Sequence, residues 1–175
     1  MFRQHDKVVY PGHGVAYIKD IIQKIVGGQV TSFYELSFLH KEMTILVPIA
    51  NSELIGLRPL SSMETINTLF EQLGRPSVRT NPHELVVNTW NKRNKEYQLK
   101  LRTGNLEALS QIYKELKSLS HQKELSFGEK NMLTQTEMLL AEEIAIVKQL
   151  DAEKAVKDLR ALFADSSRSI KHPKF

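Results

Sequence analysis

The chain of 175 residues is 41% hydrophobic and 25% charged, with a formal net charge of +4, the balance of an ordinary folded soluble protein with room for one domain or two small ones. It has no cysteine, which excludes disulfides and thiolate metal sites. Met1-Phe2-Arg3-Gln4-His5-Asp6-Lys7 offers no apolar stretch for export, and no window approaches the length of a bilayer span, so a cytoplasmic protein with no membrane contact is expected.

Residues 1–60 alternate short apolar runs with Gly and Pro. Val8-Val9-Tyr10 stops at Pro11-Gly12-His13-Gly14, and Val15, Tyr17 and Ile18 resume the run. Gly27-Gly28 between Lys24-Ile25-Val26 and Thr31 to Leu36 reads as a hairpin turn. Thr44-Ile45-Leu46-Val47 is a further β-rich run stopped by Pro48. About five short strands in this stretch predict a small, strongly bent sheet or SH3-like barrel.

The pattern turns helical after residue 60. Ser61 and Glu64 have capping-box spacing and predict a short helix through Leu69, Phe70 and Leu73, ending near Gly74. Residues 75–82 contain two prolines and read as a linker. Three helices should follow. The first covers His83 to Arg102, with Trp90 at a possible break. The second carries Leu106, Leu109, Tyr113 and Leu116 as an amphipathic stripe and ends near Lys123. The third opens on a capping box, Ser126 to Glu129, carries Leu133, Leu140, Ile144 and Val147 on one face, and runs on toward Phe163. The expected organisation is α+β: a β domain over 1–60, a short helix and linker over 61–82, a helical domain over 83–163 and a disordered basic tail over 164–175.

Positive charge is concentrated. Residues 88–102 hold five basic side chains (Lys92, Arg93, Lys95, Lys100, Arg102) against one acid, Glu96, around the chain's one tryptophan, Trp90. A flat ring among cations suits a negatively charged, stackable partner such as nucleic acid. A core tryptophan in a helical packing is the competing reading. Lys130 and Asn131, in the first turn of the third helix, add charge beside free backbone amides, or else are a solvated helix start. His13 on its Gly-rich loop could seed a hydrolase, but no acid or base partner is identifiable nearby and a tight turn accounts for the glycines. The six histidines are scattered without ligand spacing, and Glu142-Glu143 reads as a solvated helix flank. No cofactor, metal or catalytic residue is expected.

Over about residues 4–148 the chain resembles the CarD (CarD/CdnL-like) family of bacterial transcription regulators. The resemblance rests on Asp6-Lys7-Val8-Val9-Tyr10-Pro11-Gly12-His13-Gly14-Val15, Thr44-Ile45-Leu46-Val47-Pro48, Trp90-Asn91-Lys92-Arg93, Lys100-Leu101-Arg102-Thr103-Gly104-Asn105 and Leu125 to Leu133. The first of these is also similar to the polymerase-interacting module of the transcription-repair coupling factor. The helical half with Trp90 makes the match specific. The resemblance implies a Tudor-like N-terminal domain that binds the RNA polymerase β subunit, through residues matching Thr44, Ile45, Leu46 and Val47. It implies a helical domain that binds promoter DNA in the minor groove at the upstream edge of the bubble, with little sequence specificity. Trp90 matches the family's wedge, and Lys92, Arg93, Lys95, Lys130 and Asn131 match its backbone contacts. A monomer, associated with the nucleoid through polymerase, is expected. Some relatives carry an arginine where Leu46 stands, so the polymerase contact here should be more apolar or lean on neighbours such as Thr44 and Ile45. A protein-interaction adaptor without DNA contact is the alternative function.

Overall fold

The computed structural model describes residues 1–76 and 89–164. Residues 77–82 of the expected linker, the start of the helix expected at His83 and the tail after residue 164 lie outside the described residues. The chain divides into two units: Met1–Leu60 with Arg102–Gly104, and Ser61–Leu101 with Asn105 onward.

The first unit is a five-stranded antiparallel sheet made of β1 (Lys7–Tyr10), β2 (Gly14–Val26), β3 (Gln29–Phe38), β4 (Thr44–Pro48) and β5 (Arg58–Pro59). A 3-10 turn, Ile49–Asn51, and a one-turn helix α1, Ser52–Ile55, join β4 to β5. The strand order is β4-β3-β2-β1-β5, so β4 is an edge strand. Gly27 and Gly28 both have positive φ, 58° and 81°. That is the backbone of a two-residue hairpin turn matched to strand twist, and Val26 duly pairs with Gln29. Strand alternation aims Val8, Ala16, Ile18, Tyr34, Leu36, Phe38 and Val47 at one core, which Leu57 closes. A register shift between Ile18 and Asp20 puts an extra residue into β2 and breaks that alternation. Beyond it Ile25 and Val30 face each other across the ribbon, 76% and 67% exposed.

His13 belongs to the β1–β2 turn. Its backbone N–H donates to the Tyr10 carbonyl at 3.0 Å, and its ring packs edge-on to Tyr10 with centroids 5.1 Å apart.

The described residues of the second unit are helical: α2 (Met63–Gly74), α3 (Trp90–Thr103, whose last two residues count with the first unit), α4 (Leu106–Ser120), α5 (Phe127–Lys148) and α6 (Ala152–Ala164). Ile66, Leu69 and Leu73 of α2, the α4 stripe from Leu106 to Leu116, and Leu140 and Ile144 of α5 share one core. Leu159 and Phe163 of α6 complete it.

Several sequence expectations shift here. The cap of α2 is Ser62, whose hydroxyl accepts from the Thr65 N–H; Ser61 instead gives its backbone N–H to Glu143 Oε1 at 2.9 Å. Glu143 is therefore buried and not on a solvated flank. Helix α4 ends at Ser120, short of Lys123. Helix α5 stops at Lys148, because Gln149 takes a left-handed conformation (φ 55°) and the Leu150 N–H closes back onto the Ala145 carbonyl at 2.8 Å. The run toward Phe163 is a separate helix, α6, which packs on α5 and α2.

Candidate functional site

The cationic stretch around Trp90 forms the start of α3 and meets the start of α5. The first turn of α5 is tightly specified. Ser126 Oγ accepts from the Glu129 N–H at 3.3 Å, and Glu129 Oε2 accepts from the Ser126 N–H at 2.8 Å, the reciprocal capping box that the spacing predicts. Glu129 also accepts from Arg93 Nη2 at 2.5 Å and from Lys123 Nζ at 3.2 Å. Its side chain is 1% exposed. Burial opposes the charged carboxylate, but hydrogen bonds from Arg93, the Ser126 backbone and Lys123 outweigh it and hold the pKa at about 2.

This corrects the expectation for Arg93. The sequence groups it with the DNA-facing cations, but its side chain is 7% exposed and turned inward onto Glu129. It locks α3 to the start of α5. It also lies 5.8 Å from the centre of the Trp90 ring, within the range of a cation–π contact.

Trp90 is the first residue of α3 and is half-buried. Its ring meets Tyr97 edge-on at 6.4 Å and lies flush over the backbone of Gly128. A Cβ built on Gly128 would fall 2.8 Å from Trp90 Nε1, so only glycine lets the ring lie there. Tyr97, about two helical turns further on and buried in the core, donates its hydroxyl hydrogen to Glu115 at 2.9 Å. Burial and then the Glu115 charge push the Tyr97 hydroxyl far above its ordinary pKa, so it remains a donor. The ring thus has a fixed inner side, while part of it stays accessible.

The other predicted cations do face outward. Lys92 and Lys95 are exposed and one turn apart on α3. Lys130 and Asn131 are exposed on the first turns of α5. Lys130 reaches Glu124 at 3.3 Å, with both side chains more than half exposed, a pairing worth little in water. Sequence reasoning missed Gly128 and Lys123 as supports of this site. The Leu125 to Leu133 run contained Gly128, but its need for glycine appears only once the Trp90 ring lies on it.

The expected polymerase-binding strand is the edge strand β4. Alternation splits its residues: Thr44 and Leu46 point outward, Ile45 is half-buried against the β core, and Val47 is 1% exposed within it. Val47 can therefore offer a partner only its backbone. Among the described residues no group of three or more His, Asp or Glu is placed to hold a metal ion. No described helix is long and apolar enough to cross a membrane.

Comparison with known proteins agrees with both units. Residues 2–61 match the CarD-like/TRCF RID domain, and residues 77–160 match the CarD C-terminal domain. The chain is 26% identical, over 159 residues, to a protein of Bacillus subtilis (strain 168) named "Putative transcription factor YdeB"; the match covers 90% of this chain and 98% of the relative. Two successive domain matches in the order of the two units, and a relative matched almost end to end, lead to one conclusion: the chain belongs to the CarD family.

Proposed function

We propose that this CarD-family transcription regulator binds the β subunit of RNA polymerase through the edge of its sheet and promoter DNA through the start of α3 and α5. There it stabilises the open complex, with Trp90 as a wedge at the upstream edge of the bubble. The observation that carries the reading is the mounting of Trp90: a half-buried ring fixed on Gly128 and Tyr97, with Lys92 and Lys95 exposed on the same helix.

A wedge need not read sequence, because the hydrogen-bonding pattern of the minor groove is degenerate. Unstacking a base step costs on the order of a few kcal/mol, and a ring that fills the opened step offsets part of that cost. Lys92, Lys95, Lys130 and Asn131 would hold the phosphates and fix register, while Arg93 acts from inside by fixing the two helix starts. With only three cations, Lys92, Lys95 and Lys130, set on phosphates, binding to DNA alone is weak, and its fall with salt is proportionately modest. Attachment to polymerase supplies the effective concentration. At that attachment β4 offers free edge backbone between outward Thr44 and Leu46, the pattern of strand addition to a sheet edge. RNA polymerase binding is also supported by the match to the CarD-like/TRCF RID domain.

The test is open-complex lifetime on a poorly melting promoter, with purified holoenzyme challenged by competitor. The parent protein should lengthen the lifetime. Trp90→Ala should abolish the gain while still co-purifying with polymerase, and Leu46→Asp should lose both. A Trp90→Ala protein as active as the parent would refute the wedge.

A further inference from the structure

Phe127 is the first residue of α5 and is 81% exposed. A phenylalanine held in water forgoes the burial that ordinarily stabilises it, and here the exposure is built in. The ring stands on the rigid turn made by the Ser126–Glu129 capping box, next in sequence to Gly128, against which Trp90 lies. Lys130 and Asn131, three and four residues on, occupy the same exposed side of the helix. Lys123, 46% exposed, leads into the turn.

The surroundings select the partner. Its exposed neighbours along the chain, Ser126, Lys130 and Asn131, are polar or cationic, unlike the broad apolar centre of a protein interface. An exposed aromatic ring beside cations fits a base face flanked by phosphates. We propose that Phe127 is a second apolar contact to DNA, stacking on an unpaired base at the bubble edge beside the step that Trp90 opens. This rests on the DNA-binding reading above and adds a residue to it. Trp90 would be the braced wedge, and Phe127 a freely exposed platform for the base that the wedge releases.

The experiment uses the full-length protein with holoenzyme on a promoter carrying 2-aminopurine at successive upstream fork positions, alongside the competitor-challenge lifetime. Because Phe127 is exposed, Phe127→Ala should melt like the parent. It should shorten the open-complex lifetime roughly fivefold or more relative to the parent complex and raise 2-aminopurine fluorescence at one fork position. Phe127→Trp should restore both. The proposal is overturned if Phe127→Ala matches the parent while Trp90→Ala loses activity, an outcome that leaves the wedge standing. It is also overturned if Phe127→Trp is as weak as Phe127→Ala. If both alanine variants match the parent, the DNA-binding reading fails with it.

Discussion

The two units keep charge in different places. In the described residues of Met1–Leu60 the buried polar side chain is Ser52, and the core is aliphatic and aromatic. The helical unit buries Arg93, Glu129, Glu137 and Glu143. Glu129 joins α3 to the start of α5. Eight residues on, Glu137 accepts from Tyr113 at 2.6 Å and from Arg160 Nη2 at 2.6 Å, joining α4 and α6 to the same helix. Burial and then the Glu137 hydrogen bond hold the Tyr113 hydroxyl well above its ordinary pKa, as a donor. The sheet is therefore specified by side-chain alternation. The helical unit is registered by paired charges strung along α5, and one of those pairs supports Trp90.

The largest expected effect breaks that support. Arg93→Ala leaves Glu129 short of its main partner and should cost about 3–5 kcal/mol in urea unfolding followed by the helix signal. Arg93→Met combined with Glu129→Gln should recover much of the loss, since no buried charge is then left. In the sheet, Leu36→Ala should cost a comparable amount, about 2–5 kcal/mol, by leaving a cavity, and no charge substitution should compensate it.

Acid sharpens the contrast. Glu129 titrates at about 2 in the folded protein against an ordinary 4.5. Its contribution is therefore complete above the ordinary value and drains away as pH falls toward about 2. Glu137 is shifted in the same direction: burial opposes its charge, but the Arg160 and Tyr113 hydrogen bonds outweigh it. The backbone NMR signals of the helical unit should lose dispersion on acidification before those of the sheet do. Glu129→Gln should be less stable at neutral pH and lose less between those limits. Coincident acid transitions in the two units would contradict the comparison.

Gly128→Ala is the next effect in size. The new methyl must displace the Trp90 ring, at a cost of about 1–3 kcal/mol. Because Trp90 is the chain's one tryptophan, its emission should shift to the red. The smallest effect is Ser126→Ala, which removes half of the capping box and should cost about 1 kcal/mol in thermal unfolding, leaving the emission unchanged.

How much of this was legible in the sequence follows from the same contrast. Alternation and the Gly27-Gly28 turn place the sheet, and period 3.6 places Leu106, Leu109, Tyr113 and Leu116 correctly on the core side of α4. Helix α5 misleads because Glu129, Thr136 and Glu137 lie in its buried stripe. An apolar pattern places them outside and shifts the predicted face toward Leu133 and Val147, which are only half-buried. The Arg93–Glu129 pair spans 36 residues, and no local rule links its ends. That is why Arg93 reads as a surface cation in the sequence. The break at Gln149 is hidden for another reason: a non-glycine residue takes the left-handed cap.

The most direct test of the central claim is photocrosslinking from position 90. Trp90 would be replaced by a benzophenone amino acid in the full chain, bound to holoenzyme and an end-labelled promoter, and irradiated. The account predicts adducts on DNA at the upstream edge of the bubble, appearing only when the promoter is melted. Crosslinks confined to polymerase, or to DNA equally in the closed complex, would contradict it.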